Sequence, residues 1–151
     1  MRPPTVSVRP MTSRDVPAVM RLWRASKGVV LHSSGEDSPA GIRRFLRRNP
    51  GLSVVAESGR VVVGAVLCGH EGRRGLLHHL AVAPRCRRGG VARRMVGACL
   101  GALRRQRIPK AIAFVLSSER LANRFWQGMG WERWTGGSTY SAMTGPADRS
   151  A

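Results

Sequence analysis

Leu80-Ala-Val-Ala-Pro-Arg-Cys-Arg-Arg-Gly-Gly-Val-Ala92 decides the fold. The largely apolar run 76–83 reads as a buried strand, and it ends at Pro84, which lacks the N–H that a central strand needs. From Val91 an apolar periodicity of helical type begins. Between the two lie Arg85, Arg87, Arg88, Gly89 and Gly90. Glycines there let the backbone approach a ligand closely, and the first free N–H groups of a helix together carry about half a positive charge. The stretch predicts a strand, a turn and a helix arranged to hold a pyrophosphate.

Spacing decides which kind of phosphate turn this is. The chain contains neither G-x-x-x-x-G-K-[ST] nor G-x-G-x-x-G, which argues against a P-loop and a dinucleotide fingerprint. What it has is R-x-x-G-x-A over 87–92, preceded by L-A-V-x-P. This resembles the acetyl-coenzyme A signature of the GNAT family of N-acetyltransferases, [RQ]-x-x-G-x-[GA] after a strand ending in a similar hydrophobic triplet.

Outward from the motif, the chain reads as one domain. Its 151 residues suit a single core, expected over about 5–143 with a tail at 144–151. The apolar runs are too short to span a bilayer and the first residues lack the apolar stretch of a signal peptide, so a cytoplasmic protein with no membrane partner is expected. Three cysteines, Cys68, Cys86 and Cys99, without a C-x-x-C pair, indicate free thiols and no metal site. Cys86, between Arg85 and Arg87, is read as a tolerated small residue, with thiolate reactivity as the lesser alternative.

The net charge of +18 invites a nucleic-acid reading. The positive residues are nevertheless spread along the chain, are almost all arginine, and are not interleaved with base-stacking aromatics. A nucleic-acid role ranks third. The same charge would steer coenzyme A, a polyanion, towards its site.

The remaining elements follow from periodicity and punctuation. Residues 6–9 alternate as a short strand, and Thr12 or Ser13 caps a helix bearing Val16, Val19, Met20, Leu22 and Trp23. A polar loop spans 28–39, and Ile42, Phe45 and Leu46 mark a second helix ending near Asn49. Runs 53–57 and 60–68 form a hairpin around Ser58-Gly59, followed by the strand at 76–83. The helix from about 90 to 105 buries Val91, Met95, Val96, Cys99, Leu100 and Leu103. A strand at 110–116 precedes a helix capped by Ser117 or Ser118 and carrying Leu121, Ala122, Phe125 and Trp126. Residues 131–134 and 138–143 are expected as a closing hairpin.

That order resembles the GNAT fold, an α/β (α+β) architecture with a mixed, mostly antiparallel sheet, a splayed parallel strand pair and about four helices. The resemblance implies that strands 76–83 and 110–116 splay and that the pantetheine arm of acetyl-CoA enters between them. Backbone groups of Leu80 and Val82 would meet that arm, and N–H groups of Arg87, Arg88, Gly89, Gly90, Val91 and Ala92 would hold the pyrophosphate. Asn123 is placed near the pantetheine because the usual asparagine position holds Glu119. Trp126 occupies the position where relatives often carry a tyrosine that protonates the departing thiolate, and an indole is a very poor acid. Tyr140 is the lesser candidate for that role.

Acetyl transfer to an amine needs a neutral nucleophile, a polarised thioester and a proton for the thiolate. His78 matches the position at which relatives often place a general-base glutamate, so it is the candidate base; the alternative is a histidine packed beside the cleft. Side chains alternate along a strand, so His79 is expected to point the other way and to be structural. The acceptor region implied by the family is 29–38 with 135–140. Glu36 and Asp37 lie there, and the preferred reading is that Glu36-Asp37-Ser38 introduces the second helix by capping and macrodipole effects. A highly cationic acceptor would be repelled unless the pocket is locally acidic, so a neutral or acidic amine or a peptide N-terminus is expected. The readings are, in order, an acetyl-CoA-dependent N-acetyltransferase acting by direct transfer, a non-catalytic acyl-CoA-binding module, and a basic nucleic-acid binder, with a homodimer left open.

Overall fold

The structure is a computed structural model, and it describes residues 5–145; the tail expected at 144–151 lies mostly outside them. Five strands form one sheet in the order β1 (Val6–Pro10), β2 (Val54–Ser58), β3 (Val61–His70), β4 (Gly75–Val82), β5 (Ala111–Ala113). The first three pairings are antiparallel and the last is parallel. A parallel neighbour requires a crossover, and α3 (Val91–Arg105) supplies it. Helices α1 (Val16–Arg24) and α2 (Pro39–Arg48) precede β2, and α4 (Arg120–Gly128) follows β5.

The sheet is covered on both faces. Val16, Val19, Met20 and Trp23 of α1, with Ile42 of α2, pack on Val55, Ala65, Leu67 and Ala81. Met95, Val96, Cys99 and Leu103 of α3 and Trp126 of α4 pack on Val54, Val63, Val66, Cys68 and Leu77. The stripe expected along 90–105 is thus the buried face of α3. Burial on both sides explains why β3 reads as a nearly continuous apolar run.

Arg9 fastens the start of the chain to this frame. Its guanidinium donates to both Asp15 oxygens at 2.8 and 2.9 Å and through Nε to Glu57 at 2.9 Å. Asp15 in turn accepts from the Thr12 N–H at 2.7 Å, ahead of α1. The Arg9 hydrogen bonds hold the Asp15 carboxyl below the usual range although burial opposes its charge. A carboxyl held low stabilises the fold above its unfolded value, about pH 3.9, and that contribution is lost as pH falls through the folded value. Arg9→Met is expected to cost about 1–2 kcal/mol at pH 7, reduced because Arg9 is partly solvated, and to shrink as pH falls below about 4. Urea unfolding at pH 7 and pH 3 checks both parts.

Two expectations at the C-terminal end need correction. No strand forms over 131–145: Trp134, Tyr140 and Met143 are exposed there. A two-stranded hairpin is marginal unless it extends an existing sheet, and β5 offers an edge of only three residues. The helix predicted from Ser117 or Ser118 begins at Arg120 with Glu119 as its cap residue, and Leu121 on it is 76% exposed. Once Trp126 is buried, the inward stripe passes through Ala122 and Met129, and Leu121 lies off that face.

Candidate active site

Pairing between β4 and β5 ends at Leu77–Ala113. Beyond that point His78, His79 and Leu80 on one strand and Phe114, Val115 and Leu116 on the other line opposite walls of a cavity of about 670 Å³. This is the splay expected between the two strands. Residues of the loop 28–37, Ile42 and Phe45 of α2, Leu67 of β3, Glu119, Ala122 and Trp126 around α4, and Thr139 of the expected acceptor segment 135–140 also line it.

The two histidines both face this cavity, contrary to the alternation expected on a strand. Leu67 pairs with His78 and Ala65 with Ala81, so β4 fits one more residue than β3 into the same interval. The extra residue makes a bulge, with His79 at φ 57° in the left-handed region. That backbone is uncommon for a residue other than glycine and often marks a functional site. The bulge turns the His79 ring onto the α1 side of the cavity, where its edge meets Trp23 with centroids 5.1 Å apart.

Asp37 holds that ring. His79 Nε2 lies 2.7 Å from Asp37 Oδ1, and the backbone N–H of His32 donates to Asp37 Oδ2 at 2.7 Å. Asp37 is 7% exposed. Burial works against its charge, yet the hydrogen bonds from His79 and His32 and the nearby imidazoles outweigh it and keep the carboxyl below the usual range. The capping expected of Glu36-Asp37-Ser38 is made by Ser38, whose Oγ accepts from the Gly41 N–H at 3.0 Å, while Asp37 turns to His79. Asp37 belongs to the site.

His78 sits differently. Its ring is stacked with Phe114 across the splay, 6.1 Å between centroids, and meets Phe45 edge-on at 6.3 Å. Burial, then the neighbouring His79, push its imidazole below the ordinary histidine range, against a weaker upward pull from Asp37. Both effects favour the neutral imidazole, the form that keeps a lone pair.

The phosphate turn has the geometry its sequence suggests. A single 3₁₀ turn, Pro84–Cys86, leads to Arg87 in an extended conformation, Arg88 at φ 65° and Gly90 at φ 74°, and α3 starts at Val91. The Arg94 N–H bonds to the Gly90 carbonyl, so the N–H groups of Val91 and Ala92 precede the first helical bond. A Cβ on Gly90 would meet nothing within 4 Å, so the turn is open. Arg87, Arg88 and Gly89 are exposed, and Val91 anchors the helix start in the core. The Arg87 Nε donates to the Val82 carbonyl at 3.0 Å, fixing the strand end to the turn. Cys86 is buried in the core.

Other expected positions divide. Leu80 and Trp126 line the cavity; Trp126 also packs edge-on against Trp131 and Phe125. Asn123 does not line it: its amide donates to the Leu116 and Glu119 carbonyls at 2.9 and 2.8 Å, tying the start of α4 to the end of the splayed segment. Tyr140 is 92% exposed and is not among the lining residues. Glu36, Asp37 and Glu119 give the cavity three of the chain's eight acidic side chains, and among the described residues no lysine or arginine lines it. The cavity is locally acidic, which removes the objection to a cationic acceptor.

A five-stranded mixed sheet with a splayed parallel pair, opened above an R-x-x-G-x-A turn, defines an acetyltransferase architecture. The model of the GNAT acetyltransferase family matches residues 16–131, and the chain belongs to that family. An acetyltransferase of Photorhabdus laumondii is 30% identical over 110 residues, covering 73% of this chain and 75% of that one. Among solved structures, the aminoglycoside N-acetyltransferase AAC(6')-Iy in complex with CoA superimposes with a TM-score of 0.75 at 15% identity, covering 93% of this chain and 97% of that one. The NatC complex bound to Gag peptide and CoA gives 0.72 at 22%, covering 86% of each. These likenesses show the fold.

Proposed function

We propose that this protein is an acetyl-CoA-dependent N-acetyltransferase that moves the acetyl group directly to a primary amine in a ternary complex. The observation that carries the reading is the position of the His78 imidazole, just beyond the last β4–β5 pair, where the splay opens into an acidic cavity. The residues present fit the coenzyme. The α3 N-terminus and the left-handed Arg88 and Gly90 make an open, cationic turn for a pyrophosphate. The unzipped edges of β4 and β5 offer walls for an extended arm, with Leu80 on one side; Val82, expected beside it, does not line the cavity, and its carbonyl already accepts from Arg87 Nε.

His78 is the base that removes a proton from the attacking nitrogen. Trp126 supplies an apolar wall and an N–H at most, so it does not protonate the thiolate. The acceptor arrives as an ammonium, drawn by Glu36 and Glu119 at the cavity while the arginine-rich turn draws the coenzyme. The two structural neighbours differ in this respect, one being named for an aminoglycoside and the other holding a peptide. Charge therefore chooses the acceptor here: a cationic amine is favoured over an anionic one.

Calorimetric titration with acetyl-CoA, followed by a thiol-release screen over monoamines, diamines, aminoglycosides and peptide N-termini, tests the reading. Stoichiometric binding and release of CoA with a cationic amine are expected, and His78→Gln should lower kcat about 100-fold or more while leaving acetyl-CoA affinity unchanged. Binding without transfer to any amine points instead to a non-catalytic acyl-CoA-binding module. Folded protein that does not bind acetyl-CoA overturns the enzyme altogether.

A further inference from the structure

We propose that the two adjacent imidazoles divide the two protons of the reaction: His79, oriented by Asp37, takes the first from the incoming ammonium, and His78 carries the second from nitrogen to the sulfur. This rests on the transferase reading and deepens it.

The geometry separates the two rings although they are neighbours in sequence. The bulge brings both to one cavity, but His79 turns to the loop 28–37 and α1, whereas His78 lies against Phe114 at the splay. An ammonium acceptor entering past Glu36 meets the His79 side; the thioester, lying in the splay, meets the His78 side. The rings are 6.2 Å apart, near enough for one substrate nitrogen to be served by both in turn.

Their hydrogen bonding suits different tasks. An ionised Asp37 only accepts, so the proton between it and His79 resides on Nε2, and Nδ1 keeps the lone pair. When Nδ1 takes a proton, the imidazolium is already in contact with a carboxylate, and the charge is held. The other charged or titratable groups around it are His32 and Glu36 on the loop, His78 on β4 and Glu119 at the start of α4; among the described residues no lysine or arginine lines the cavity. His78 has aromatic neighbours in Phe45 and Phe114 and no carboxylate in contact with its ring among the described residues. A proton placed on it is poorly held and readily passed on.

The balance is complete. His79 takes one proton from R–NH₃⁺ and releases it to solvent. The neutral nitrogen forms its bond to the acetyl carbon; His78 takes the second proton from that nitrogen. As the C–S bond breaks with its electron pair leaving on sulfur, His78 returns the proton there. The products are the amide, CoA thiol and one solvent proton. This supplies the thiolate's proton in a chain whose Trp126 cannot.

Two arms test the division. In the first, kcat/KM is measured from pH 6.5 to 9.5 with the amine found by the screen, for wild type, Asp37→Asn, His79→Asn and His78→Gln. Asparagine tolerates the left-handed backbone at 79, and thermal unfolding confirms that each variant is folded. Asp37→Asn and His79→Asn should be down about 100-fold at pH 7, with the deficit shrinking about tenfold per pH unit as solvent supplies neutral amine. The His78→Gln deficit should stay constant across pH. A constant deficit for Asp37→Asn, or a shrinking one for His78→Gln, overturns the proposal. In the second arm, which needs no acceptor, ¹⁵N resonances of the histidine rings should show the His79 proton on Nε2 in the wild type and its loss of preference in Asp37→Asn; a proton on Nδ1 in neutral His79 overturns it. Failure of the screen with the expected tautomer would count against the transferase reading alone.

Discussion

Gly90→Glu is expected to weaken acetyl-CoA binding about 100-fold while leaving the fold cooperative. Two effects act at that position and they can be separated. Gly90 has φ 74°, so any side chain with a Cβ strains the backbone by about 1–2 kcal/mol. Space is not the problem, because a Cβ there meets no atom within 4 Å. The larger effect is electrostatic. A carboxylate at the first turn of α3 is welcome to the helix, whose N-terminal N–H groups it satisfies, and for that reason it competes for the groups that would hold the pyrophosphate. Losing charge-assisted hydrogen bonds of about 1.5–3 kcal/mol corresponds to roughly a 10–150-fold rise in Kd. Gly90→Asn, which accepts a left-handed backbone and carries no charge, should bind within about tenfold of wild type. Calorimetry on both variants reads the difference; equal losses would assign the effect to strain, and no loss in either would move the phosphate site elsewhere.

The turn was legible because its chemistry is local. Pro84 stops the strand, Gly90 allows the left-handed residue, and Val91 begins a stripe that meets the sheet; every one of these is decided within a few positions. The splay was legible only through the family resemblance, and its end at Leu77–Ala113 reflects pairing between distant segments. His79 was misread for a related reason. Period-2 alternation assumes an unbroken ladder, and the extra residue in β4 exists only by comparison with Leu67 and Ala65 of β3. A pair of polar imidazoles inside an otherwise apolar strand was the available hint that regular alternation would not be kept.

Asp37 shows a second kind of limit. Followed by Ser38 and Pro39, it sits where an acidic residue commonly prepares a helix, and nothing nearby in sequence distinguishes that role from a hydrogen bond to a distant histidine. Its partner is 42 residues away. Ser38 caps α2, which frees Asp37 to turn to β4. The acidity of the cavity was hidden in the same way, since Glu36, Asp37 and Glu119 are dispersed along a chain of net charge +18 and converge only in the fold. Net charge describes the surface as a whole; it does not describe a cavity lined by three carboxylates.

Gly41→Ala should test how tightly that convergence is held. Gly41 lies in the first turn of α2, and a Cβ there would come within 2.4 Å of the backbone carbonyl oxygens of Gly35 and Glu36. Neither oxygen belongs to a flexible side chain, so the loop before the helix must move. That loop carries Asp37, and the Ser38 hydroxyl that bonds to the Gly35 carbonyl at 2.7 Å. Alanine usually favours a helix over glycine by about 1 kcal/mol, so propensity alone predicts stabilisation. Overpacking against backbone costs about 1–3 kcal/mol and reverses the sign, lowering Tm by roughly 3–10 °C. The displaced Asp37 should also release His79, producing the pH-dependent kinetic deficit of Asp37→Asn in a protein whose carboxylate is intact. Acetyl-CoA affinity should be unchanged, because the coenzyme turn lies on other elements. A rise in Tm with wild-type kinetics would show that the loop yields freely and that Asp37 is not positioned by the close approach at Gly41.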